Sequence, residues 1–231
     1  MGLFRAAPTL NAEISAWRQG CRAVAGVDEA GCGPLAGPVV AGAVILDPLR
    51  AQAWWSDLRD SKVLLEPERD RLAALIRDEC AWGVGIASHE FIDAYGLTAA
   101  RLQAMRSAVE DLPERPDMLL IDAMSLPEYR HRSIIHGDAL AASIAASAVV
   151  AKVARDAMMA EEHVRYPHYG FASNRGYATP EHKRALDERG PCAIHRRLFA
   201  PVREALAARG IACEVRGLGM VPEAQMEAAL A

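Results

Sequence analysis

Residues 23–46 read AVAGVDEAGCGPLAGPVVAGAVIL. An apolar run at 23–27 ends at the acidic pair Asp28-Glu29. A turn-rich AGCGPLAG follows, and a second apolar run spans 38–46. Two apolar runs across a Gly/Pro turn predict a β-hairpin. Gly31 and Gly33 allow a backbone to approach a ligand closely and to aim N–H groups at phosphate or sugar oxygens. On spacing alone they read as an ordinary hairpin turn. The loop lacks the Gly-Lys-Ser/Thr ending of a phosphate-binding loop, and Pro34 and Pro38 hinder the helix a dinucleotide fingerprint requires.

Residues 12–18 suit a short helix. Residues 66–80 carry Leu72, Leu75 and Ile76 at helical spacing, with Pro67 in a first turn. Residues 82–88 suit a third strand. Residues 98–112 place Leu102, Met105 and Val109 on one helical face before Pro113 and Pro116. Short apolar strands follow at 118–121, before Asp122, and at 132–136, before Gly137-Asp138. Residues 141–162 make the strongest helix, and 181–189 another, closed by Gly190-Pro191. A hairpin and third strand followed by alternating helices and strands predict an α/β fold with a mixed sheet flanked by helices. The stretch beyond Pro201 is weakly patterned and suits a C-terminal helical appendage. The expected division is a short N-terminal extension (1–20), a catalytic domain (21–203) and the appendage (204–231).

Asp28, Glu29, Asp122 and Asp138 each lie at or just beyond the end of an apolar strand. Strand ends gather on common sheet edges, so these acids can converge. Converging carboxylates repel one another unless cations neutralise them, and hard oxygen ligands select Mg²⁺ or Mn²⁺. Two such ions, roughly 3.5–4 Å apart, activate water and stabilise a leaving oxygen in phosphoryl transfer. Taken singly, each acid reads as a turn residue or a helix cap. Asp138, three residues before the long helix, is the clearest rival case.

The five cysteines (21, 32, 80, 192 and 213) form no Cys-x-x-Cys pair, which argues against a disulfide framework and a structural zinc site. The first residues lack a signal peptide's charged start and apolar run, and no stretch reaches a membrane span. A cytoplasmic protein with no membrane contact is expected. Net charge is −4, but residues 165–203 hold eight Arg/Lys against three Asp/Glu. A basic segment beside an acidic one suits a metal-dependent nuclease, although charged faces are commonly just solvated. Ser61 and Lys62 precede a helix and suit a phosphate; a solvated loop explains them as well. Lys152 lies in an apolar stretch, to snorkel or to reach a phosphate. Ser143 and Ser147 are one turn apart and permit close packing. Residues 166–171 and 174–179 mix aromatics with basic groups, as stacking on bases or sugars requires. His182 and His195 are candidates for orienting a phosphate or for acid–base work.

In order along the chain, GVDEAGCGPLAGPV (26–39), DSK (60–62), LLIDA (119–123), GD (137–138), SIAASAVVAKVARD (143–156), YPHYGF (166–171), RGYAT (175–179) with His182, and GPCAIHRRLF (190–199) resemble the ribonuclease HII family. The resemblance spans about residues 22–203. It implies a ribonuclease H-like fold and a metal-binding quartet of Asp28, Glu29, Asp122 and Asp138. It also implies a Tyr177 that stacks on the deoxyribose beyond a ribonucleotide, and Gly31 and Gly33 whose backbone meets the ribose 2′-hydroxyl, with Cys32 between them. Ser61, Lys62, Lys152 and Ser147 resemble phosphate contacts, and Arg175 keeps a basic charge beside them. The implied reaction is hydrolysis 5′ to a ribonucleotide in RNA–DNA hybrids or in DNA, leaving 5′-phosphate and 3′-hydroxyl ends. A monomer with no obligate protein partner is expected. Cys32 stands where the family usually has arginine, and Ala123 where glycine is frequent. A non-catalytic nucleic-acid-binding relative and a DNA nuclease are the competing readings. All four acids disfavour the first, and Tyr177 with the glycine loop disfavours the second.

Overall fold

The computed structural model of the protein describes residues 7–50, 53–59, 61 and 63–212. The chain forms two compact units. One comprises Met1–Cys32, Val39–Ala87 and Arg101–Met158; the other comprises Gly33–Pro38, Ser88–Ala100 and Met159–Ala231.

In the first unit, five strands form one sheet among the described residues. They are β1 (Val24–Ala30), β2 (Val39–Ile45), β3 (Ala81–Ala87), β4 (Met118–Asp122) and β5 (His131–Ile134), in the order β3-β2-β1-β4-β5. The expected hairpin is the antiparallel β1–β2 pair, with Asp28 opposite Gly42. β3 continues antiparallel from β2, whereas β4 and β5 run parallel to β1. The sheet is therefore mixed, as the element order implied. β5 stops at Ile134, two residues before the expected end, because His136 turns into the left-handed region at φ 58°.

Side chains alternate between the faces of a strand, and glycines mark where helices press on each face. A Cβ on Gly26 would lie 2.1 Å from the Ser143 carbonyl carbon, and one on Gly42 would lie 2.4 Å from Ser147 O. The helix carrying both serines, Ala142–Arg165, therefore rests its backbone directly on the face shared by Gly26, Asp28 and Gly42. On the other face, Cβ atoms on Gly83 and Gly85 would lie 2.4 and 2.0 Å from Ala108 O and Ala104 O. Those carbonyls belong to the helix His89–Glu110. Coverage of both faces explains why β1, β2 and β4 read as nearly continuous apolar runs.

In chain order the helices are α1 (Asn11–Arg18), α2 (Glu66–Glu79), α3 (His89–Glu110), α4 (Gly137–Leu140), α5 (Ala142–Arg165), α6 (Phe171–Asn174), α7 (Pro180–Arg189) and α8 (Ala200–Ala207). Helix α1 packs into the first unit, where Ala16, Cys21, Val24, Leu120, Ala141 and Ile144 form one apolar cluster. Its buried Glu13 accepts hydrogen bonds from Ser143 N (2.8 Å) and Ser143 Oγ (2.7 Å). That places a carboxylate on the electropositive start of α5. Helix α3 begins nine residues earlier than the expected 98. Gly96, at φ 84° and ψ 166°, interrupts it, and a glycine there reads in sequence as a stop. Helix α4 has four residues, too few for a periodic signal.

In the second unit, Tyr169, Phe171, Ala185, Ile194, Ala36 and Met159 form one cluster. Helix α8 adds Val202, Ala205 and Leu206 against Leu35 and Leu186. Helix α8 runs across residue 204, where the appendage was expected to begin, and residues 213–231 lie outside the described residues.

Candidate active site

Strand β1 extends through Asp28 and Glu29 to Ala30, so the acidic pair lies inside the strand and its two side chains face opposite ways. Asp28 is 5 % exposed on the α5 face, and its Oδ1 accepts the Glu29 N–H at 2.7 Å. Asp122 ends β4, one position beyond the Val27–Ile121 pair. Its Oδ1 accepts the Gly137 N–H at 2.7 Å, which ties β4 to the start of α4. Asp138 is the second residue of that short helix and is 6 % exposed. At the start of α5 the Ser143 N–H is accepted by Glu13.

These placements meet electrostatically at Asp28. Burial raises its carboxyl well above the usual carboxylate range, with Glu29, Asp122 and Asp138 pushing the same way. A buried acid in the field of three others is a site that favours positive charge. Among the described residues, no three Asp, Glu, His or Cys side chains are gathered closely enough to hold a metal ion between them.

Glu29 looks toward the α3 side. Arg101 donates to its Oε1 through Nε (2.8 Å) and Nη2 (2.8 Å), and the Cys32 thiol lies 3.3 Å from the same oxygen. Burial raises the Glu29 carboxyl, opposed by the Arg101 guanidinium and the Cys32 hydrogen bond. Its second oxygen, Oε2, is buried and has no hydrogen-bond partner among the described residues. A buried, unpaired carboxylate oxygen is unfavourable unless a cation meets it. With hard oxygens as the donor set, the residues present fit a divalent ion such as Mg²⁺ or Mn²⁺. Arg101 is not among the residues expected at the site. Its signal was a cation at i, i+4 and i+8 spacing with Met105 and Val109, on the stripe that faces the sheet.

The expected phosphate contacts fare differently. Ser147 is fully buried, and its Oγ donates to Ile144 O at 2.8 Å. It is a packing residue against Gly42, so the expected nucleic-acid contact is corrected. Lys62 lies outside the described residues. Ser61 and Lys152 are joined through two residues that the sequence did not single out. Arg69 donates to Ser61 O at 2.9 Å and lies 3.8 Å from Asp156, which accepts from Lys152 Nζ at 2.6 Å. Burial lowers the Lys152 ammonium from its usual range, and Asp156 opposes that shift.

In the second unit, a Cβ on Gly33 would lie 3.5 Å from Tyr177 Cε1. Leu35 N donates to Gly176 O (2.8 Å), and Arg196 Nε holds Gly37 O (2.8 Å). Tyr177 is 45 % exposed. Arg175 is half-buried at φ 50°, ending α6. His182 and His195 are buried and do not meet solvent. His182 Nδ1 lies 2.8 Å from Tyr177 O and must carry a proton; its Nε2 then accepts from His195 Nε2 at 3.0 Å. His195 Nδ1 in turn accepts the Cys192 N–H at 3.0 Å. Both rings are neutral links in a chain that holds the Tyr177 carbonyl, so the phosphate or acid–base role considered for them is replaced by a structural one.

A family model described as Ribonuclease HII matches residues 25–202. A ribonuclease HII of Myxococcus xanthus is 50% identical over 202 residues, covering 85% of this chain and 68% of the relative. The crystal structure of ribonuclease H2 from Pyrococcus horikoshii superposes with a TM-score of 0.68 at 26% identity, covering 80% of this chain and 97% of that one. Bst ribonuclease HIII, crystallised in complex with Mn²⁺, gives a TM-score of 0.66 at 18% identity, covering 90% and 76%. The last likeness concerns the fold.

Proposed function

The chain belongs to the ribonuclease HII family, metal-dependent endoribonucleases that cleave RNA in RNA–DNA hybrids and at ribonucleotides embedded in DNA, and we propose that Asp28, Glu29, Asp122 and Asp138 hold two divalent ions for that cleavage. The observation that carries the assignment is the burial of Asp28 in the combined field of the other three acids. The unpaired Glu29 Oε2 supports it. The ribonuclease HIII fold relative crystallised with Mn²⁺ makes Mn²⁺ or Mg²⁺ the ions to test. When bound, paired ions supply water activation and counter-charge for an in-line displacement. The cut falls 5′ to the ribonucleotide and leaves 5′-phosphate and 3′-hydroxyl ends.

The remaining roles follow from what each side chain can offer. Gly31, at φ 97°, adopts a backbone that L residues rarely take, and Gly33 carries no side chain beside Tyr177. Their N–H groups, with Cys32 between them, face the ribose 2′-hydroxyl. Tyr177 offers an exposed ring to the sugar beyond the ribonucleotide. Ser61, Lys62, Lys152 and Arg175 contact the phosphate strand. The protein acts as a cytoplasmic monomer on RNA–DNA hybrid and ribonucleotide-containing DNA, with residues 21–203 as its catalytic domain. No described helix is long and apolar enough to cross a membrane.

The test is a DNA duplex holding one ribonucleotide, incubated with Mg²⁺ or Mn²⁺ and with chelator. Cutting 5′ to the ribonucleotide only when metal is present is expected. Asp122→Asn keeps an oxygen for the Gly137 N–H, so it should fold and bind hybrid while losing turnover. Retained turnover would remove Asp122 from the site.

A further inference from the structure

Glu29 uses its two oxygens unequally. Oε1 receives both Nε and Nη2 of Arg101 and the Cys32 thiol. Oε2 is buried with no hydrogen-bond partner among the described residues. The usual guanidinium–carboxylate pair spreads two parallel bonds over two oxygens; here both donors converge on one. The Glu29 side chain is 8 % exposed and that of Arg101 25 %, so the pair is partly shielded from solvent and its charge is felt in the site. By contrast, the Oδ1 atoms of Asp28 and Asp122 are held by backbone N–H groups. The guanidinium is thus a resident cation on one member of the quartet, and it comes from α3, on the sheet face opposite Asp28.

We infer that Arg101 is a positioning residue for the metal centre, clamping Glu29 by Oε1 so that Oε2 is the oxygen presented to a divalent ion. The inference rests on the reading of the four carboxylates as the metal site. It has two opposed consequences. The Arg101 charge repels an incoming cation and weakens its binding. The Arg101 clamp fixes the direction of the ligand oxygen and raises turnover. A residue that merely stabilised α3 would not separate the two.

The experiment measures Mn²⁺ binding from the free-ion electron paramagnetic resonance signal and kcat on an RNA–DNA hybrid. The proteins are wild type, Arg101→Gln, Arg101→Lys and Asp122→Asn. Arg101→Gln deletes a charge in contact with a carboxylate, so Mn²⁺ binding should tighten about tenfold while kcat falls about tenfold. Arg101→Lys keeps the charge but has no fork to converge on one oxygen. It should restore wild-type Mn²⁺ affinity and leave kcat low. Wild-type values for both quantities in Arg101→Gln, or parallel loss of both, would overturn the inference. If thermal unfolding in chelator shows that Arg101→Gln is not folded, Arg101→Lys decides. Wild-type affinity with reduced kcat supports the clamp, and two wild-type values refute it. Failure of wild type to bind Mn²⁺, or equal binding by Asp122→Asn, would instead overturn the metal-site reading and this inference with it.

Discussion

Gly26→Ala tests whether direct backbone contact between β1 and α5 sets the position of the acidic site. The new Cβ would lie 2.1 Å from the Ser143 carbonyl carbon, 2.3 Å from Ser143 O and 2.4 Å from Ile144 N. Carbon atoms in contact settle at about 3.5–4.0 Å, so strand and helix must part by about 1.5 Å. All three obstacles are backbone atoms, which cannot swing aside as a side-chain tip does. Overpacking costs about 1–3 kcal/mol, and this case belongs at the upper end, about 3 kcal/mol. For a chain of this length about 1 kcal/mol moves the midpoint by roughly 2–4 °C, so thermal unfolding should come about 6–12 °C earlier. Ile144 Cδ1 also lies 2.6 Å from the position a Cβ would take on Gly137. Displacement of α5 therefore reaches the residue before Asp138, and cleavage of hybrid should fall with the midpoint. Gly33→Ala is the control. Its Cβ would meet Tyr177 Cε1 at 3.5 Å, an ordinary contact, so the midpoint should stay within about 2 °C. A Gly26→Ala protein that melts with wild type would refute the contact argument.

Two further expectations concern stability. Burial, with the neighbouring His182 adding to it, holds His195 down to about 3, against roughly 6.5 unfolded. The stabilisation from a neutral ring is therefore complete above about pH 6.5 and is lost as pH falls toward 3. At pH 4.5 the loss is about 2–3 kcal/mol, from roughly 1.4 kcal/mol per pH unit. Urea unfolding at pH 7 and 4.5 should show a smaller pH loss in His195→Asn; equal losses would dismiss the assignment. Ala123, at φ 51°, adopts a backbone that costs an L residue about 1–2 kcal/mol, partly offset in glycine by about 0.4–1 kcal/mol of unfolded-state entropy. Ala123→Gly should raise stability by about 0.5 kcal/mol in urea unfolding, and a lowered midpoint would contradict the strain.

The hairpin, the long helix α5 and the α/β class were legible because each rests on local pattern. Apolar runs of strand length ended at turn residues, and a stripe repeated at helical spacing. The position of four acids at or beyond the ends of apolar strands was legible for a related reason, while their joint role as metal ligands is the reading that the family resemblance implies and that we propose. Where local pattern was short or broken, the reading failed. Helix α4 has too few residues to repeat, and Gly96 concealed the first turns of α3. Ser147 was misassigned because a serine on a helix carries no mark of which way it faces. Its burial and its hydrogen bond to Ile144 O appear only in the folded chain.

By itself the amino-acid order determined the hairpin, the long helix α5 and the family, since these follow from local pattern and from motifs along the chain. The tertiary structure decided which atoms meet. It placed Asp28 and Glu29 on opposite faces, brought Arg101 from a helix 72 residues away onto a single oxygen of Glu29, set Glu13 against the Ser143 N–H, and closed two histidines into a neutral chain behind Tyr177. None of these pairings has a spacing rule. Each depends on how close a helix can come to a sheet, and here glycines at the contact points permit that approach.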